Sequence, residues 1–137
     1  MVDRELLQRR LERLDEYLGI LRRLQRYTYE EFAADPERYG SAERFLQLAI
    51  EVLDDLGSHV VADEDLGRVV AMADIPRLLL QHGMLDPGLA QCWTRMIGFR
   101  NVLVHQYLDI DRRLVYDSLT QRLGDLQGLK QVFARLL

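Results

Sequence analysis

The residues best equipped for chemistry fall in one run, Arg100-Asn101-Val102-Leu103-Val104-His105-Gln106-Tyr107. It brings a permanently cationic guanidinium, an amide, an imidazole and a phenol close together in the chain. Cleaving RNA without a metal requires a base for the ribose 2′-hydroxyl proton and a donor that steadies charge on the in-line phosphorane. His105 and Arg100 are of those two types, because imidazole exchanges protons near neutral pH and guanidinium matches phosphate oxygens. DNA, which lacks the 2′-hydroxyl, is not expected as a substrate.

Helical spacing constrains how these groups can meet. On an ideal helix Arg100 and Tyr107 nearly eclipse, whereas His105 lies about 140° around from Arg100. One straight helix therefore cannot aim both at one atom. Either the helix loosens near His105, or a second copy of the segment supplies the missing group across a two-fold interface. Asn101 and His105 share a face, so the amide is placed to orient the imidazole or to touch the same ligand. Gly98 weakens the same helix and suggests close approach of another backbone. A purely structural account competes with this one: Arg100 pairs with a carboxylate at a helix end, and His105 caps the helix.

The elements that must position the run read as helices throughout. Asp3 is placed to cap a long first helix in which Leu7, Leu11, Leu14, Leu18 and Leu21 recur at steps of four and three. Arg22, Arg23 and Arg26 suit the carboxyl end of that helix, where cations complement the dipole. Thr28-Tyr29-Glu30-Glu31 fits a capping box, and the short helix it opens must stop before Asp35-Pro36. A second long helix is expected from about Ser41 to His59, with Phe45, Ala49, Val52, Leu53 and Leu56 on one face. Asp63 to Gly67 reads as a loop.

Asp74 before Ile75-Pro76 resembles an N-cap with proline in the first turn, and Gly83 marks a stop after His82. Asp86-Pro87 opens the helix that carries Leu89, Cys92, Trp93, Met96 and Ile97 inward and leads into the motif. Asp111 is placed to cap a final helix whose apolar face is Leu114, Val115, Leu119, Leu123, Leu126, Phe133 and Leu136, weakened locally by Gly124 and Gly128. No alternating run suggests a sheet. The expected class is all-α, an antiparallel bundle of four main helices with short additional ones, in a single domain over 1–137.

Composition narrows the function. The chain has 137 residues, 48% hydrophobic and 29% charged, the balance of a folded globular domain and not of a disordered or membrane protein. No apolar run approaches a membrane span and no export signal is read at the amino terminus, so a cytoplasmic location is expected. A net charge of -4 argues against coating nucleic acid through bulk positive potential, although it leaves room for a local basic site. Among 18 basic residues only Lys130 is a lysine. The lone Cys92 has no internal disulfide partner, and His59, His82 and His105 lie in different segments without zinc-ligand spacing. No cofactor and no metal is implied.

The motif Arg100-Asn101-Val102-Leu103-Val104-His105-Gln106-Tyr107 resembles the R-x4-H-x-Y signature of the HepT family of HEPN toxins. Ala42-Glu43-Arg44-Phe45-Leu46-Gln47-Leu48-Ala49-Ile50, Asp55-Leu56-Gly57-Ser58-His59 and Met96-Ile97-Gly98-Phe99-Arg100-Asn101 are similar in order and spacing, so the resemblance spans nearly the whole chain. It implies a homodimeric helical bundle acting as a metal-independent endoribonuclease, the toxin of a pair whose antitoxin is a minimal nucleotidyltransferase. Arg100 and His105 match the catalytic residues, with Asn101 beside them, and Tyr107 matches the tyrosine to which the antitoxin attaches AMP. An anionic group there would repel RNA. Asp55 and His59, one turn apart, form a second polar pair for which a helix-end contact is expected. A HEPN-like module that binds a nucleotide or a protein without catalysis is the alternative.

Overall fold

The computed structural model describes residues 1–106 and 108–137; Tyr107 lies outside the described residues. Its elements are α1 (Arg4–Leu24), α2 (Tyr29–Ala34), α3 (Pro36–Asp63), α4 (Asp74–Gln81), α5 (Pro87–His105), α6 (Arg112–Gln121) and α7 (Leu123–Ala134). Every regular element among the described residues is helical, as the sequence patterning implies. None of these helices is long and apolar enough to cross a membrane.

Helix α1 forms as its leucine spacing requires. Asp3 accepts from the Leu6 amide at 3.1 Å, and all five seam leucines are buried. The helix ends at Leu24, so Arg22 and Arg23 occupy its last turn while Arg26 lies beyond it, over the Tyr27 ring. α1 packs on α3, α3 on α5, α5 on α7, and α7 closes the ring on α1. The neighbours run antiparallel. The amino terminus donates to the Asp63 carbonyl at the far end of α3, and Arg22 and Asp15 reach back to Gln127 and Lys130 on α7.

Four boundaries differ from expectation. α3 starts at Pro36 and not near Ser41, because Asp35 caps it by accepting from the Glu37 amide and Pro36 needs no donor at the first position. It also runs past His59 to Asp63, burying Val60 and Val61. Asp74 is not the cap of α4 but its first residue. Its carboxylate turns back to the amides of Ala71 and Val70, and those bonds, with Arg77, hold its pKa down at about 2. The final helix is two, broken at Arg122. Ser118 and Thr120 return hydrogen bonds to the carbonyls one turn back, which bends helices, and Gly124 follows the break directly. Leu114, expected on the inner face, is 45% exposed.

The centre of the α3–α5 seam is Trp93, fully buried, with its edge against Phe133 at 5.8 Å. Its Nε1 donates to Asp54 at 2.9 Å, which supplies the partner a buried indole needs. Gly57 makes the fit possible. A Cβ there would stand 2.4 Å from Ile75 and 2.7 Å from Trp93. Gly57→Ala is therefore expected to destabilise the fold by about 1–3 kcal/mol, the cost of overpacking. An unchanged denaturation midpoint would refute this account of the seam.

Asp54 is the one buried charged residue among the described core, and burial pushes its carboxyl from 3.8 up to about 6 against the pull of Trp93 and Arg100. Between about pH 4 and 6 the native carboxyl keeps a proton that the unfolded chain has lost, so rising pH works against folding in that window. Stability from this group is complete below the window and gone above it. Asp54→Asn keeps an oxygen for Trp93 and removes the titration. Its stability relative to the parent is expected to climb across pH 4 to 6 by about 2 kcal/mol, read as the difference between two urea-denaturation series. Parallel pH profiles would exclude the assignment.

Candidate functional site

α5 is capped by Asp86, which accepts from the Leu89 amide at 2.8 Å, and it continues as α-helix through Arg100 to His105, with Gln106 as C-cap. The helix does not loosen between Arg100 and His105, so one of the two geometries open to the sequence is removed. Trp93 and Arg100 are seven residues apart and lie on nearly the same side of the helix. Packing Trp93 onto α3 therefore turns Arg100 toward α3 as well. His105, about 140° further round, is exposed.

Arg100 meets Glu51. Its Nε and Nη2 both donate to Glu51 Oε1, at 2.9 and 2.7 Å, and Nη1 donates to Asn101 Oδ1 at 3.3 Å. Gln47 Nε2 donates to the same Glu51 oxygen at 3.2 Å. The pair forms one wall of a cleft of about 270 Å³ lined by Glu51, Asp54, Asp55, Ser58, Ile97, Arg100 and Asn101 with Met72 at its edge. Both partners are about a third exposed, 31% for the Arg100 side chain and 32% for Glu51. Solvent screening keeps such a pair weak as a source of stability, so its main effect is to orient the guanidinium.

Among the expected site residues, the structure brings Arg100 and Asn101 together. His105 does not line this cleft, and no hydrogen bond joins it to Asn101. The Asn101 oxygen faces Arg100 instead, because the two are neighbours and Arg100 is already drawn toward α3. Asp55 and His59 do form a polar pair, at 3.6 Å, while Arg10 of α1 binds the other Asp55 oxygen at 2.6 Å. Asp55 thus lines the cleft and anchors α1 at once. Gly98 is exposed, and a Cβ on it would meet nothing within 4 Å among the described residues, so none of them brings a backbone close to it. His82 acts as the C-cap of α4, its Nδ1 2.9 Å from the Leu78 carbonyl oxygen.

Glu51 and Asp54 were not singled out by the sequence. Their signal is the spacing Glu51, Asp54, Asp55, Ser58, which places a polar stripe on one face of α3 beside its apolar one. A larger cleft of about 350 Å³ lies on the other side of α5, among Leu46, Ile50, Met96, Phe99 and Leu114. Half-buried Cys92 lies at its wall, its thiol pKa raised by burial and by Asp125. Neither Arg100 nor Asn101 nor His105 reaches it.

Chemically, the smaller cleft offers a guanidinium held in a fixed plane beside an amide, with a solvent-facing imidazole further along the same helix. That set suits an anion bearing planar oxygens. Comparison with known proteins bears on the same point. The chain is 27% identical over 115 residues to a tRNA nuclease HepT of Aphanizomenon flos-aquae, a match covering 84% of this chain and 78% of that one. It is 27% identical over 82 residues to an mRNA nuclease HepT of Shewanella oneidensis, covering 60% and 62%. Its fold matches that of a tri-AMPylated Shewanella oneidensis HEPN toxin in complex with MNT antitoxin, with a TM-score of 0.88, 21% identity and coverage of 98% and 99%. A family model described as Ribonuclease HepT-like matches residues 7–132, and the chain belongs to that family.

Proposed function

We propose that this chain, acting as a single domain, is the toxin of a toxin–antitoxin pair and an endoribonuclease whose site is built on Arg100, His105 and Asn101. The observation that carries the reading is Arg100 held side-on by Glu51 within the cleft, on the same unbroken helix that ends at His105. The nuclease relatives and the family match support the reaction class. In this reading Arg100 grips the phosphate, and His105 takes the 2′-hydroxyl proton. The 2′-oxygen then bonds to phosphorus as the bond to the 5′-oxygen breaks, and that oxygen takes up a proton. The products are a 2′,3′-cyclic phosphate and a 5′-hydroxyl, with no metal step required.

Because α5 stays helical to its end, Arg100 and His105 diverge, and we read each chain as contributing half of two sites across a two-fold axis. Thr94, Gly98, Asn101 and His105 form an exposed stripe of small and polar residues on α5, a face that a second copy can approach. The partner antitoxin is a minimal nucleotidyltransferase that attaches AMP to Tyr107, two positions past His105. The similar fold of an AMPylated toxin bound to an MNT antitoxin supports this. Added phosphate charge at that point would exclude RNA electrostatically.

Unmodified protein should degrade RNA but not DNA in the presence of a chelator, and Arg100→Ala or His105→Ala should each remove activity while leaving the helical circular dichroism intact. If both variants cleave like the parent, the site assignment fails, and tight nucleotide binding without turnover would point to a non-catalytic module. Mixing the two inactive variants separates the geometries. A site shared between chains restores one working site in each mixed dimer, whereas a site within one chain restores none. Coexpression with a minimal nucleotidyltransferase antitoxin should add AMP mass to the peptide carrying Tyr107; AMP found only elsewhere would overturn the switch.

A further inference from the structure

Arginine offers two bidentate edges to an oxyanion, the side edge of Nε with Nη2 and the end edge of Nη1 with Nη2. Glu51 occupies the side edge of Arg100 with a single oxygen, and Asn101 takes one hydrogen of Nη1. Among the described residues one N–H of Nη1 and one of Nη2 are left over. From this geometry we infer that Glu51 is a positioning residue for RNA cleavage, fixing the plane in which the remaining Nη1 and Nη2 N–H groups of Arg100 meet the scissile phosphate. The inference rests on the reading of Arg100 as the phosphate donor.

Glu51 is built to hold and not merely to neutralise. Its Oε1 is pinned by Gln47 from one turn earlier on α3, so the acceptor has a fixed place before Arg100 arrives. It sits one turn before Asp54, whose bond to Trp93 sets how α3 and α5 are aligned. The guanidinium is therefore located by the packing of two long helices and does not depend on a loop. Its surroundings are acidic, three carboxylates lining the cleft to its one guanidinium. With Asp54 and Asp55 nearby, the cleft has no surplus positive charge that would bind any RNA tightly, and Arg100 interacts with phosphate through orientation more than through attraction.

A group that positions a transition-state donor acts on kcat, whereas one that only attracts substrate acts on KM. Glu51→Ala is expected to lower kcat on a single-stranded RNA substrate by about tenfold or more while KM changes by less than about threefold. Glu51→Gln keeps an oxygen acceptor for Nε and Nη2, and it should recover most of the lost kcat. The melting temperature of each variant reports whether the bundle survives. Parental kcat in Glu51→Ala, or a loss confined to KM, would overturn the inference. So would a folded Glu51→Gln protein as slow as Glu51→Ala. Full activity in Arg100→Ala alone would instead remove the underlying assignment of the site.

Discussion

The alignment of α3 with α5 governs the rest of this molecule, and it is set where Trp93 enters the gap left by the missing side chain of Gly57. The indole fills the core and finds its hydrogen-bond acceptor, Asp54, on the facing helix. Two turns along α5, Arg100 points to the same side and meets Glu51, one turn before Asp54 on α3. Apolar packing and polar placement are thus two parts of one antiparallel register. A shift of that register would separate Arg100 from Glu51 and Trp93 from Asp54 together, leaving an indole N–H and a carboxylate buried without partners, which is costly.

The polar members of this seam exact a cost in stability. Asp54 is buried with a carboxyl that resists ionisation, and above its pKa the fold carries that penalty. A core of leucines and a tryptophan can bear it, because α1 alone contributes five buried leucines. The cleft lining accordingly has more carboxylates than cations. This fits the overall charge of -4: neither the whole surface nor the cleft collects nucleic acid, so affinity must come from a few directed contacts.

Much of this was legible in the chain, and the unread parts have physical causes. The α1 seam could be read because a long run of periodic leucines admits one amphipathic answer, and the motif because its four residue types are chemically distinctive. Asp35-Pro36 was read only as a stop, yet the same pair opens α3, since an aspartate before a proline serves equally to end one helix and to cap the next. The break at Arg122 was hidden because two glycines weaken a helix without saying where it parts. Glu51 could not be ranked among 22 acidic residues, because its meaning depends on a partner 49 positions away and on the alignment that Trp93 imposes. Asn101 was expected to face His105, and the sequence had no way to show that its neighbour Arg100 would claim its oxygen.

The seam also explains why Arg100 and His105 face different ways. Anything that draws Arg100 into α3 must turn His105 away from it, since the two are fixed on one rigid helix. The arrangement favours rigidity in the Arg100 guanidinium and leaves the His105 imidazole on an exposed face, where a surface from outside the chain can meet it. Under the proposed reading of a site divided between two copies, the precise element lies inside each bundle and the complementary one at its edge.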